Sequence, residues 1–404
     1  MSTHRRIPGV GDPTLLVLIL FMTALGIAMI YSAGLVDIRS PATGIWVRQL
    51  YWFVVAIVAL GVTSRFSLRF LEWLAPWIYG LSVLLLVLVL FIGTGPNGSW
   101  LELGPGRLQP AEVAKLGTIL MLASVMGGAP GGYERLVELW RPGVIALVPF
   151  ALVLRQPDLG SAMIFGALFL ATLFWAGVPL SRIFLVASPG LSLLLGFNWI
   201  AWGLWFLIVA ACLYVQRLFI LESLGVLFAN VFTGALTLRI WDSLADYQRN
   251  RLLVFLDPEI DPLGAGWHLI QSKVAIGSGG LIGAGFANGP QKRLAFLPEQ
   301  HTDFIFSVVG EEFGFIGVML FLVIFALVLW RVLRVATTTE DQFGSLIAFC
   351  LFAVLLTHIA VNLGMTVGMM PVTGLPLPLL SYGGSFLLVL YAGFGMVQRV
   401  AWEA

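Results

Sequence analysis

Charge is scarce in this sequence: 22 Lys and Arg with 21 Asp and Glu make up 11% of 404 residues, against roughly 25% in a soluble domain. With 59% of its residues hydrophobic, the chain cannot bury its apolar surface in one water-soluble core, so it reads as a polytopic membrane protein. Cysteine is nearly absent. Cys212 and Cys350 both lie in apolar runs, which excludes a disulfide framework and a thiolate metal site and leaves them as small core residues. His268, His301 and His358 have no His-x-x-x-His or Cys partner spacing, so a zinc site is not indicated. A net charge of +1 gives no footprint for a nucleic-acid partner. There is no fixed-period repeat, no long run of one charge and no separable soluble domain. The glycines at 277–280 and 283–289 lack the Lys-Ser/Thr of a Walker motif, so tight backbone packing or a lid accounts for them.

Apolar runs able to span a bilayer occur at 14–34, 46–63, 73–93, 111–126, 142–155, 160–177, 182–197, 304–330, 344–365 and 379–398. These make ten core spans of an all-α fold. A further apolar stretch at 198–238 has room for two more, parted near Gln216 and Arg217, giving twelve without changing the parity downstream. The amino-terminal run follows His4, Arg5 and Arg6 but is too long for a signal peptide and has no cleavage site. Placing both termini in the cytoplasm puts Arg65, Arg69, Arg135, Arg141, Arg182, Arg331, Arg334 and Arg399 in inside loops, as the positive-inside rule requires. The whole chain is then one integral membrane domain, with residues 239–303 forming a large external loop.

The same parity brings four polar segments to the external face. The first, 94–110, carries Trp100, Arg107 and Gln109, with Glu112 and Lys115 on the helix that follows; the second is the turn Arg155-Gln156-Pro157-Asp158. The third is the 239–303 loop with Arg249 and Arg251, ending in Glu299-Gln300-His301-Thr302-Asp303. The fourth, 366–381, is proline-rich and is expected to stay non-helical until Ser381. Irregular backbone at membrane depth is tolerated only inside protein or around a wet cavity, so this face has the character of a site. Asp303 is the leading candidate. At the mouth of an apolar helix, Thr302 or Asp303 can serve as an N-cap, yet Glu299, His301, Glu311 and Glu312 crowd the same helix end, and ionisable groups there are costly and usually functional. Glu311 and Glu312 fall roughly 12 Å into that helix and need partners, for which Lys115 and Arg155 match in side and depth. Asp257, Glu259 and Asp261 alternate like oxygen ligands of a hard cation, but Pro258 and Pro262 break any EF-hand pattern and favour a turn.

Four stretches, GSWLELGPGRLQPAEVAKL at 98–116, RQPDLGSA at 155–162, YQRNRLLVFLDP through FLPEQHTDFIFSVVGEEFG at 247–314, and NLGMTVGMMPVTGLPLPLLSYGGS at 362–385, resemble the SEDS family, the RodA, FtsW and SpoVE group of bacterial peptidoglycan polymerases. VTGLPLPLLSYGG leans towards the RodA branch, and residues 198–238 carry no family motif. The resemblance implies an external glycosyltransferase that joins lipid II units, helped by a divalent cation such as Mg2+ or Mn2+. It also implies a class B penicillin-binding protein as transpeptidase partner within the elongation machinery of the bacterial cytoplasmic membrane. It maps an essential loop aspartate onto Asp303, a loop tryptophan onto Trp100, and a lysine and an aspartate onto Lys115 and Asp158. A donor already activated by pyrophosphate needs only a base on the acceptor hydroxyl, a role for Asp303, and cations for the leaving group, for which Lys115, Arg249 and Arg251 are placed. Arg107, Arg155, His301, Glu299, Glu311 and Ser381 complete the expected substrate-facing set. Two other readings remain open on the sequence: a lipid II flippase, and a non-catalytic scaffold for the transpeptidase.

Overall fold

The structure, a computed structural model, describes residues 11–36, 43–95, 98–103, 106–128, 133, 135–261, 264–294, 296–297 and 299–404. His4, Arg5, Arg6 and Pro262 lie outside the described residues. In chain order come α1 (Pro13–Ala33), α2 (Ile45–Thr63), α3 (Leu68–Ile92), strands β1 (Leu101–Leu103) and β2 (Gly106–Leu108), α4 (Pro110–Gly127), α5 (Trp140–Leu154, led in by a 3-10 turn Leu136–Leu139) and α6 (Leu159–Trp175). Next are α7 (Leu180–Leu195), α8 (Trp199–Gln216), α9 (Ile220–Ser243), α10 (Asp246–Leu256), α11 (Ala265–Ser278) and α12 (Pro290–Arg293). The chain ends with α13 (Ile305–Thr338), α14 (Gln342–Val367) and α15 (Gly384–Glu403).

The all-α membrane architecture expected from composition is the one observed. Among the described residues ten segments are long and apolar enough to cross a bilayer, and α6 and α7 are shorter apolar helices. The stretch 198–238 holds two of the ten, α8 and α9, joined where Arg217 turns left-handed at φ 48°. Burial separates centre from rim: α14 is 72% and α4 and α15 are each 67% buried over their apolar windows, against 17% for α8 and 11% for α9. The core therefore lies around α14, with Tyr391 and Phe394 of α15 fully enclosed.

Polar ties define the two ends of the bundle. At one end the Arg331 guanidinium pairs with Asp12, the N-cap of α1, and Arg182 donates to the Tyr133 carbonyl. The opposite end collects the β1–β2 hairpin, the 155–158 turn, the 244–304 loop and the segment 368–383.

Three local expectations change. The α13 N-cap position is Phe304 and no side chain caps it, so neither Thr302 nor Asp303 is a cap. The last helix begins at Gly384, not in the 379–381 region, because Ser381 is bound into the preceding loop. Glu311 and Glu312 do not pair with Lys115 or Arg155. Glu312 forms an ion pair with Lys292 of α12 and accepts from Ser32 of α1, while Glu311 accepts from the Gln291 amide at 2.6 Å. The reason is a fold-back. α11 descends beside α13, with Ser272 Oγ 2.7 Å from Ser307 Oγ, and the chain then turns beneath Gly310.

That turn is what the glycines serve. At Gly314 (φ 61°, ψ −162°) α13 leaves helical geometry, and the groups released there pair with the loop. Ala284 and Gly285 donate to the Glu311 and Glu312 carbonyls at 3.0 and 2.9 Å, while the Phe315 and Ile316 amides donate to Gly280 and Leu281 at 2.9 and 3.1 Å. A Cβ on Gly283, at φ +78°, would stand 2.1 Å from the Glu312 carbonyl oxygen, so the backbones approach closer than any other residue permits.

Candidate active site

Asp303 sits in the last turn before α13, half-buried, its amide donating to the Glu299 carbonyl at 3.1 Å. Glu299 itself is exposed and takes a left-handed φ of 50°. The turn is fastened from outside itself. Asn362, one turn from the end of α14, donates to the Asp303 carbonyl at 2.9 Å and shares its amide with the Leu375 carbonyl at 2.8 Å. Ser381 Oγ donates to the Thr302 carbonyl at 2.5 Å and accepts from the Leu377 amide, and the Tyr382 amide donates to the His301 carbonyl at 2.9 Å. Two irregular segments, each unable to satisfy its own backbone, thus satisfy one another. The close approach extends to Gly374, where an added Cβ would touch Asp303 Oδ2 at 3.4 Å.

The 155–158 turn joins this group. Asp158 caps α6 through the Ser161 amide at 2.9 Å and accepts from Gln109 Nε2 at 3.0 Å with its other oxygen. Gly160, next to it, abuts the Thr373 carbonyl, 2.8 Å from where its Cβ would lie. From α10, Tyr247 Oη donates to the Pro157 carbonyl at 2.9 Å, and Arg251 lies with its guanidinium 5.7 Å over the Tyr247 ring.

These neighbours set the protonation of Asp303. Burial raises its pKa from 3.8 to about 6, Glu299 and Asp158 push the same way, and Arg251 and a hydrogen bond from Thr302 oppose. Such a carboxylate is still ionised at neutral pH but is basic enough to accept a proton. His301 is lowered by burial, with Glu299 acting against that, so its ring is neutral at neutral pH.

Of the residues singled out from sequence, Asp303, Glu299, His301, Asp158, Arg251 and Ser381 belong to this one group. Others stand apart. Lys115 is buried on α4, bound to Glu112 at 2.8 Å and to His358 Nε2 at 3.1 Å. It reaches the site indirectly, because His358 Nδ1 lies 3.2 Å from the Pro376 carbonyl of the 371–383 segment. Arg107 pairs with Glu102 across the hairpin with both side chains more than half exposed, an arrangement worth little energetically. Trp100 closes the hairpin base in a bridge with Thr94. Arg249 is spent on the Trp241 and Asp242 carbonyls at the α9–α10 corner, Arg155 is exposed at the end of α5, and Glu311 belongs to the Lys292 cluster. Asp257 caps the 3-10 turn Pro258–Ile260 through the Glu259 amide, the turn arrangement favoured from sequence.

The structure adds Asn362, His358 and Lys292 to the residues that matter, and gives Gln109, already conspicuous in the first polar segment, its partner in Asp158. Asn362 and His358 carried a signal, since a polar side chain within an apolar helix faces a partner. Lys292 carried none.

Known proteins are similar to this chain over nearly its whole length. The FTSW_RODA_SPOVE family model, described as cell cycle protein, matches residues 13–203 and 198–404, the two matches meeting where α8 begins. The peptidoglycan glycosyltransferase MrdB of Escherichia coli K12 is 36% identical over 394 residues, covering 96% of this chain and 93% of that one. The peptidoglycan glycosyltransferase RodA of Treponema pallidum is 36% identical over 428 residues, covering 98% and 99%. Among solved structures, one described as "Structural coordination of polymerization and crosslinking by a peptidoglycan synthase complex" contains a chain matching with a TM-score of 0.71 at 33% identity, over 96% of this chain and 97% of that one. The Thermus thermophilus rod shape determining protein RodA matches with a TM-score of 0.63 at 29% identity, over 96% of both.

Proposed function

This chain belongs to the FtsW, RodA and SpoVE family and is a peptidoglycan glycosyltransferase; from that premise we propose that Asp303 is its general base. The observation that carries the reading is the Asp303 carboxylate itself: it caps no helix, it is held by burial and two other carboxylates at a pKa of about 6, and it lies where four outer segments meet.

The reaction follows from the donor's chemistry. Lipid II presents its sugar on a polyprenyl pyrophosphate. Asp303 takes the proton of the acceptor hydroxyl as that oxygen attacks the anomeric carbon, and the bond to the pyrophosphate breaks on the opposite side. One displacement inverts the centre, so no second carboxylate is needed as a nucleophile. Arg251, half-buried beside Asp303, is the cation disposed towards the departing dianion, and neutral His301 is available as a hydrogen-bond donor. Lys115 is fully engaged with Glu112 and His358 and acts by holding the roof segment 371–383. Among the described residues no three His, Cys, Asp or Glu side chains gather into a metal cage. Asp303 with Glu299 nevertheless offers the one or two carboxylates with which Mg2+ or Mn2+ is held when it is shared with a substrate phosphate. A cation bound there would supply further positive charge for the leaving group.

The protein is a multi-pass membrane protein, and we assign it to the bacterial cytoplasmic membrane with the Asp303 end outside and both termini inside. A class B penicillin-binding protein of the elongation machinery supplies the crosslinking. The buried charges of α4, α12 and α13 form closed clusters, Lys115 with Glu112 and His358, and Lys292 with Glu312, rather than a file across the bilayer. That disfavours a transport path.

The test is polymerisation of labelled lipid II by the purified protein, with a penicillin-binding partner that has no polymerase activity of its own. Wild type should make glycan strands and Asp303→Asn should make none while still eluting as a folded complex with the partner. Equal polymer from both would remove Asp303 from the chemistry.

A further inference from the structure

At the end of the bundle opposite Asp303, α7 and α9 part around a groove of about 590 Å³ whose lining includes Arg135, Leu185, Pro189, Phe219, Glu222 and Val226. This volume is in the range of small-molecule sites. Its polarity is graded. Phe219 and Glu222 stand at the very start of α9, and Arg135 precedes the 3-10 turn before α5. From there the lining runs up α9 to Ala229, about 15 Å beyond Phe219 at 1.5 Å per residue, and every lining residue past Glu222 on that helix is apolar or glycine. One end of the groove is charged and the rest is oil.

The charged end is unfinished. Glu222 Oε1 accepts from the Val137 amide at 3.2 Å, but Oε2 is buried and has no donor. The Arg135 guanidinium does not turn to it and lies instead 4.5 Å over the Phe219 ring. A buried carboxylate oxygen with nothing to bind is costly. The occupant that fits has an ammonium N–H for Glu222, an anion for Arg135 and a long apolar body. We propose that this groove is a binding site for a phospholipid of the facing leaflet whose headgroup carries both a phosphate and a primary amine. Its wall is built by α9, part of the stretch that carries no motif of the polymerase chemistry, and its depth is left open by Gly225, where an added Cβ would meet nothing within 4 Å.

Native mass spectrometry of the detergent-purified full chain, offered phosphatidylethanolamine, phosphatidylglycerol and phosphatidylcholine at equal concentration, tests the site. Wild type should retain phosphatidylethanolamine over phosphatidylglycerol by on the order of tenfold, the effect of one charge-assisted hydrogen bond. Phosphatidylcholine, which has the charge but no N–H, should fall between. Glu222→Gln keeps an acceptor for the Val137 amide and should erase the preference while lipid still binds. Gly225→Leu fills open space in the groove and should abolish retention, with lipid II polymerisation unchanged as the control for folding. Equal retention of the three lipids by wild type would overturn the headgroup assignment, and unchanged retention in Gly225→Leu would overturn the site.

Discussion

A carboxylate that keeps its proton up to about pH 6 imposes a pH dependence on any reaction it serves as base. Polymerisation should rise with pH through a midpoint near 6, and a rate profile on lipid II between pH 4.5 and 8 checks it. Because Glu299 raises that value, Glu299→Gln should move the midpoint to lower pH. The same residue acts on stability with a definite sign. The folded state holds the proton at pH values where an unfolded aspartate, at 3.8, has released it. The favourable contribution is therefore complete below 3.8 and is lost as pH rises through about 6. At pH 8 Asp303→Asn, which carries no charge to bury, should melt at a higher temperature than wild type while losing its activity. A melting temperature that falls instead would show that Asp303 holds structure together.

Among the α-helices of the described residues, α12 is the shortest, and it is held by two others. Lys292 reaches α1 and α13 together, donating to the Ser32 carbonyl at 3.0 Å and pairing with Glu312, and Gln300 donates to the Ala33 carbonyl at 2.8 Å three residues before Asp303. Removing one partner of a buried pair costs about 3–5 kcal/mol, so Lys292→Met should lower the denaturation midpoint sharply. Lys292→Met combined with Glu312→Met should recover much of that loss; if the double variant is the less stable of the two, the pair is not the origin of the effect. The contrast between what could and could not be read from the residues is sharpest here. Asp303, Asp158 and the hairpin stand in polar islands between apolar runs, and hydropathy alone finds such islands. The partners of Glu311 and Glu312 were unreadable because they depend on a fold-back. Apolar periodicity records which face a helix buries, but it carries no trace of a loop that turns beneath Gly310 and returns a lysine from twenty residues upstream. The same limit applies to Gln109, visibly polar in the sequence, whose bond to Asp158 exists only because α3, α4, α5 and α6 cluster.

At the scale of the whole molecule, the chain is a rim and a hub. α14, α4 and α15 are the most enclosed helices, and the irregular segments that hold Asp303 are seated on α14 through Asn362 and His358. α8 and α9 pack at the edge. The two ends of the bundle should lie in different compartments. Asn250→Cys on α10 and Glu340→Cys in the α13–α14 turn, both exposed positions, provide the check. An impermeant thiol reagent applied to intact cells should label the first and should reach the second only after the membrane is opened.

The exchange of backbone partners at Gly314 has a further consequence, for the timescale of opening. Four hydrogen bonds join the 280–285 loop to α13. Separating them would strand the carbonyls of Glu311 and Glu312 and the amides of Phe315 and Ile316 where little water can reach them. The loop therefore cannot lift as a flap while the helix stays behind; both must come apart in one cooperative event. In a hydrogen–deuterium exchange experiment, the amides of Ala284 and Gly285 should be as slow as those in the middle of α13, although they belong to an irregular loop.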